Sequence, residues 1–171
     1  MFPDPPEAIV AMNKITQLTP HLAVTGGLLL EDVAEVAAMG FRSIVSNLPD
    51  GESAAYPTSR QVAQSAERSG LGYRHIPTTK ADVFSDGVVD GVAEALGALE
   101  APVLMHCASG LRSAIAWAAA AARSQSPDEV LAVLRAGGFN LDAIRDDLAE
   151  QHDPGHTSPV PLALRVGKAS A

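Results

Sequence analysis

Short apolar runs and longer amphipathic stretches alternate along this chain, and turn-forming residues punctuate the alternation. Runs at residues 15–18, 22–24, 41–48, 71–76 and 102–106 predict strands; the third centres on Ile44 and Val45 and stops at Pro49-Asp50-Gly51. Between them lie segments of helical period. Residues 31–39 place Val33, Val36 and Ala37 on one side, with Gly40 just past the end. Residues 58–69 start with Thr58 and Gln61 at capping-box spacing and stop at Gly70. A loop over 78–84 leads to a helix capped by Ser85, whose stripe is Val89, Val92, Ala93, Leu96 and Leu99. Residues 113–123 form an almost entirely apolar helix. Ser126-Pro127-Asp128-Glu129 combines an N-cap, a first-turn proline and a capping glutamate. That helix ends at Gly137-Gly138, and Asn140 opens another with Leu141, Ile144 and Leu148 aligned. Strands alternating with helices imply an α/β fold, a central mostly parallel sheet with helices on both faces. Three prolines in the first six positions mark residues 1–14 as a lead-in, residues 15–153 read as one folded domain, and the Pro/Gly/Ser-rich stretch 154–171 reads as a flexible tail.

Composition narrows the function. At 171 residues, 47% hydrophobic and 19% charged, the chain suits one globular domain. Its net charge of -8 opposes nucleic acid and anionic lipid, and no basic patch overrides it. The apolar stretch at 114–122 is too short to span a bilayer, and the first residues lack a signal-peptide pattern, so a soluble cytoplasmic protein is expected. A single cysteine excludes an internal disulfide, a CxxC redox pair and a thiolate-rich zinc site. His152 and His156 are four apart but lie in the Pro/Gly-rich stretch, so no metal is expected. Gly26-Gly27 lacks the rest of a dinucleotide pattern, and no cofactor is implied. Trp117 is expected to anchor the apolar helix 113–123 to the sheet. Later helices must cover that helix, or a homo-oligomer contact must.

The chemistry concentrates in His106-Cys107-Ala108-Ser109-Gly110-Leu111-Arg112-Ser113. A buried strand delivers Cys107 to the edge of the sheet where α/β proteins bind ligands. The small residues Ala108, Ser109 and Gly110 let the backbone curl until its N–H groups converge. With the following helix terminus and the Arg112 guanidinium they form an anion site. The same field favours a thiolate, which makes Cys107 a ready nucleophile and, after reaction, a good leaving group. His106 is expected to hydrogen-bond behind the loop and orient it. Ser109 offers a loop hydrogen bond, and Ser113 one to the Cys107 sulfur.

The hairpin over 15–26, Gly40-Phe41-Arg42-Ser43-Ile44-Val45, Asn47-Leu48-Pro49-Asp50-Gly51-Glu52, Tyr73-Arg74-His75-Ile76-Pro77, residues 102–113 and Gly138-Phe139-Asn140-Leu141 form one set of segments. Together they resemble the beta-lactamase-hydrolase-like (DUF442) family, whose members carry a phosphatase-like domain also described as a sulfur transferase. The resemblance covers residues 15–150 and implies a protein-tyrosine-phosphatase-like fold with a cysteine-based active site. The family's usual loop reads Cys-Arg-Ser-Gly-Thr-Arg-Ser; here Ala108 and Leu111 replace its first Arg and its Thr, which removes one charge.

Two chemistries compete. Cysteine-dependent phosphatases resemble Cys-x5-Arg and rhodanese-type sulfurtransferases Cys-x4-Arg. Cys107 and Arg112 enclose four residues. Loop length therefore ranks first a sulfurtransferase, which would take a sulfane sulfur as a Cys107 persulfide and pass it to an acceptor thiol such as glutathione. A protein-tyrosine- or dual-specificity-phosphatase-like hydrolase acting on phosphotyrosine or a small phosphate ester is the alternative, and an anion-binding or redox-sensing module the third. A phosphatase needs an acid for the leaving oxygen. Asp82 is the first candidate, followed by Asp86 and the more distant Asp50; Asn47, Asp50 and Glu52 also suit the rim of the pocket.

Overall fold

The computed structural model describes residues 14–167. The lead-in, all but its last residue, lies outside them. Two antiparallel strands, β1 (Thr16–Thr19) and β2 (Leu22–Thr25), begin the fold. Helix α1 (Leu30–Ala38) follows, then β3 (Ser43–Ser46), α2 (Ser59–Arg68) and β4 (Gly72–His75). Next come α3 (Asp86–Ala98), β5 (Val103–His106), α4 (Leu111–Ala122), α5 (Pro127–Ala136) and α6 (Arg145–Gln151). The sheet runs β1-β2-β5-β3-β4 and is parallel except for β1. Strand β5 therefore sits at the centre, between β2 and β3.

Helix ends follow local sequence chemistry. Thr58 accepts the Gln61 N–H while the Gln61 side chain reaches back to the Thr58 N–H, a complete capping box; Ser126 and Glu129 form a second. Ser85 caps α3 through the Val88 N–H. The buried stripe of α3 is Val88, Val89, Val92, Ala95 and Leu96, and the partly buried Ala93 and Leu99 pack against the same core.

Alternate residues of each strand face two different cores. Val24, Val45, Val103 and Met105 point into the larger one, with α3, α4, α5 and α6. Ala23, Ile44 and Leu104 point to the smaller one under α1 and α2, beside Val33, Val36, Val62 and Ala66. Helix α4 is the axle of the larger core: Ala116 to Ala122 are all buried, and the alanines let neighbouring helices approach closely. Its apolar surface is covered within the chain, by the sheet, α3, α5 and α6.

Residues 160–166, expected as part of a loose tail, also contribute. A 3-10 turn, Leu162–Leu164, docks against α3 and α4 and buries Ala163 and Leu164. The buried Trp117 donates from Nε1 to the Ala163 carbonyl at 2.8 Å, and Gln125 Nε2 donates to the Leu164 carbonyl at 2.6 Å. A buried indole N–H needs an acceptor, and this segment supplies it. Among the described residues, no helix is long and apolar enough to cross a membrane.

Candidate active site

Strand β5 ends at His106, and three hydrogen bonds from its neighbours fix the chain there. Asn47 N–H donates to the His106 carbonyl at 2.7 Å, Cys107 N–H to the Thr25 carbonyl at 3.4 Å, and Gly27 N–H to the Ala108 carbonyl at 3.2 Å. The backbone then turns sharply through Gly110. This residue is the N-cap of α4 and lies in the left-handed region with φ 95°, where glycine is favoured. Its N–H points back at Cys107 Sγ, 3.1 Å away. Cys107 is fully buried at the bottom of the loop, while Ser109 and Leu111 lie exposed at its crest.

Helix α4 begins at Leu111, two residues earlier than periodicity predicts, so Arg112 and Ser113 belong to its first turn. The cause is Gly110, which allows the strand-to-helix reversal without a longer connection. The positive end of the helix dipole consequently lies at the sulfur.

The loop between β3 and α2 fixes Arg112. Glu52 accepts from both ends of the guanidinium, Nη1 to Oε2 at 2.9 Å and Nη2 to Oε1 at 2.5 Å. Nη1 also donates to the Thr78 carbonyl at 2.8 Å. The hydrogen bonds between the two side chains, helped by their opposite charges, raise the Arg112 pKa and lower that of Glu52. The Glu52 pair takes the end-on edge of the guanidinium, and the Thr78 carbonyl takes the other Nη1 hydrogen. Among the described residues, Nε–H and the second Nη2 hydrogen, which form its side-on edge, donate to no protein group. Two parallel donors of this kind match two oxygens of one oxyanion.

Asn47 is buried and ties three segments together. Its Nδ2 donates to the Ile76 carbonyl and to Thr78 Oγ1, both at 3.1 Å. Its Oδ1 accepts from Ser113 Oγ at 2.8 Å. Ser113 is therefore bonded to Asn47 rather than to the Cys107 sulfur, and Asn47 lies beneath the site rather than on its rim.

The acid candidates separate. Asp50 accepts from both Ser59 N–H and Ser59 Oγ at 2.7 Å, which pulls its pKa down and makes it a brace for the start of α2. Asp86 is the exposed first residue of α3. Asp82 lies on the β4–α3 loop, the loop whose Thr78 carbonyl meets Arg112, and its Oδ1 accepts the Thr79 N–H at 2.7 Å.

His106 differs from the hydrogen-bonded role expected of it. The register sets it in one row with Thr25 and Ser46, on the α1/α2 side of the sheet. Neither ring nitrogen has a hydrogen-bond partner of normal geometry among the described residues. Burial pushes its pKa down to about 4, only partly opposed by the Cys107 backbone, so the ring is neutral near pH 7.

Sequence reasoning missed Thr78, Gly27 and Tyr56. The Thr78 role runs through its carbonyl, which no residue type advertises. Gly27 was set aside as part of a turn; its N–H holds the loop, and the Tyr56 ring occupies the space a Cβ would need. No group of three or more candidate metal ligands is found among the described residues.

The family model for the phosphatase-like domain of beta-lactamase hydrolase-like proteins matches residues 14–124. A beta-lactamase hydrolase-like protein of Xylella fastidiosa (strain Temecula1) is 30% identical over 130 residues, covering 75% of this chain. One from Agrobacterium fabrum is 27% identical over 100 residues. The chain spans only 30% and 23% of the lengths of these two relatives. Among solved structures, a candidate phosphatase from Neisseria meningitidis Z2491 superposes with TM-score 0.68 at 31% identity, covering 81% of this chain and 98% of that one. Tk-PTP superposes with TM-score 0.56 at 19% identity, covering 80% and 94%, a likeness of fold alone. The fold is thus protein-tyrosine-phosphatase-like. The family description and the Neisseria structure point toward phosphatases, and sulfur transfer, ranked first by loop length, draws no support from them.

Proposed function

Because the chain belongs to the phosphatase-like domain family of beta-lactamase hydrolase-like proteins, we propose that it hydrolyses phosphate monoesters through a phosphocysteine at Cys107. The observation that carries this reading is the Arg112 guanidinium. Glu52 and Thr78 hold it through Nη1 and one Nη2 hydrogen and leave Nε–H and the second Nη2 hydrogen as a two-donor fork, suited to two phosphoryl oxygens. The Gly110 N–H and the start of α4 stabilise negative charge at the sulfur.

The chemistry follows from that placement. The Cys107 thiolate attacks phosphorus, the P–O bond to the leaving group breaks, and Asp82 gives that oxygen its proton. Water then attacks the phosphocysteine, Asp82 takes the proton, and inorganic phosphate leaves with the thiolate restored. What supports Asp82 in this role is that it lies on the loop whose Thr78 carbonyl accepts from Arg112. The neutral His106 lies behind the loop and takes no proton in either step.

Loop length favours a second reading. The four residues between Cys107 and Arg112 make a tighter cradle, suited to a single sulfur atom carried as a persulfide between a sulfane donor and an acceptor thiol. Arylphosphate hydrolysis measured beside thiosulfate-to-cyanide sulfur transfer separates the two. The phosphatase reading expects hydrolysis that falls by about a thousandfold or more in Cys107→Ser. Sulfur transfer lost in the same variant, with no hydrolysis by the parent protein, overturns it.

A further inference from the structure

Three polar side-chain atoms are buried among the described residues without a hydrogen-bond partner of normal geometry: both ring nitrogens of His106 and the hydroxyl oxygen of Tyr73. Buried polar atoms are almost always paired, with protein or with ordered water, because an unpaired one forfeits its hydration. They are also neighbours. Ile44 pairs with Tyr73, and two residues on Ser46 pairs with His75 on one side and His106 on the other. Alternation along the strands puts Tyr73, Ser46 and His106 on the α1/α2 face of the sheet, where Tyr73 packs against the smaller core.

Ser46 stands between the other two. The Tyr73 hydroxyl comes close to it without a bond of normal geometry. Ser46 is buried, and its Oγ accepts the Leu48 N–H at 3.3 Å, which leaves its own proton to be placed. Other polar groups nearby are engaged: His75 Nε2 is 2.8 Å from the Leu48 carbonyl, and Ser59 holds Asp50. Burial pushes the Tyr73 pKa up to about 12, so this group is a neutral hydroxyl with a proton to give. His106 has the opposite need. Its ring meets the Cys107 backbone on one side, which favours a proton on the nitrogen there. The other nitrogen of a neutral imidazole is an acceptor. Two hydroxyl donors and one imidazole acceptor, all buried, suit an internal water, which typically makes about three hydrogen bonds.

We propose that one internal water joins Tyr73 Oη, Ser46 Oγ and the His106 ring, and that Tyr73 and Ser46 thereby act as positioning residues that fix the tautomer of the imidazole behind the nucleophile. The water accepts from the two hydroxyls and donates to the ring nitrogen turned away from Cys107. The ring keeps its own proton on the Cys107 side. None of this depends on whether Cys107 carries phosphate or sulfur, so it stands or falls apart from the phosphatase reading.

Two measurements on the whole protein test it. A high-resolution crystal structure should show one water within hydrogen-bond distance of all three groups. Long-range proton–nitrogen NMR spectra near pH 7, with the His106 ring identified by its loss in His106→Leu, should show a single neutral tautomer. Tyr73→Phe removes only the hydroxyl; it should leave the amide spectrum of the sheet in place and turn the His106 signals into a mixture of tautomers. Ser46→Ala should act in the same direction. Loss of packing alone would not move the tautomer while the amide spectrum stays in place. A crystal structure without that water, or with the three groups in direct contact instead, overturns the site whether or not the variants fold. A parent ring already in a mixture, or a single tautomer unchanged in both variants, overturns the positioning role.

Discussion

His106 is the residue whose state has the clearest cost. It is a buried imidazole with no hydrogen-bond partner of normal geometry among the described residues, held neutral because burial lowers its pKa from 6.5 to about 4. Between those two values the unfolded chain binds a proton that the folded chain refuses. Stability is therefore full above the unfolded pKa and falls as pH drops through the window toward the folded one. Urea unfolding should find the protein about 2 kcal/mol less stable near pH 5 than near pH 7 from this group, and His106→Leu should remove most of that slope. A slope unchanged in His106→Leu would show that the ring is not the group refusing the proton. Sequence alone placed His106 behind the nucleophile, which its strand position required. It could not reveal the missing partner, because that depends on what α1 and α2 leave beside the ring.

At the scale of elements, the junction of β5 and α4 does most to make the site. Gly110 occupies φ 95°, and a Cβ there would come within 3.4 Å of the Thr25 backbone. Gly110→Ala puts an L side chain in the left-handed region, with its Cβ in van der Waals contact with the Thr25 backbone. It should cost about 1–2 kcal/mol in denaturant unfolding and weaken oxyanion binding, since the N–H aimed at Cys107 Sγ must shift. Unchanged stability and binding would mean that the loop tolerates another path. The elements themselves were largely legible, because Thr58 with Gln61, Ser85, and Ser126 with Glu129 announce helix starts through local bonds. The start of α4 was misplaced by two residues for a specific reason. Leu111 and Arg112 carry no cap signal, and a glycine N-cap makes no side-chain bond to read. Cys107 and Arg112 were visible as a spaced pair, whereas the bond from Arg112 to Glu52 joins segments far apart in sequence and emerges only with the fold.

At the scale of the whole molecule, the segment beyond α6 belongs to the larger core. Ala163 and Leu164 are buried, the Ala163 carbonyl satisfies the Trp117 indole, and Gln125 bonds both the Leu164 carbonyl and the Val166 N–H. Ending the chain at Ser158 should destabilise it by about 3 kcal/mol or more and shift the emission of Trp117, the one tryptophan, to the red as water reaches the ring. Retained stability with a blue emission would show that the segment lies on the core without supporting it. This contribution was not legible in the sequence, since 154–161 is Pro/Gly/Ser-rich and the docking residues that follow are too few to show a period.

The account turns on what Cys107 becomes during turnover. Rapid acid quench of the protein with an aryl phosphate, followed by peptide mass spectrometry, should find one phosphoryl group on the peptide containing Cys107 and none elsewhere. Hydrolysis that proceeds while Cys107 stays unmodified, or a Cys107 that gains one sulfur from a sulfane donor and no phosphoryl group from the ester, would contradict it.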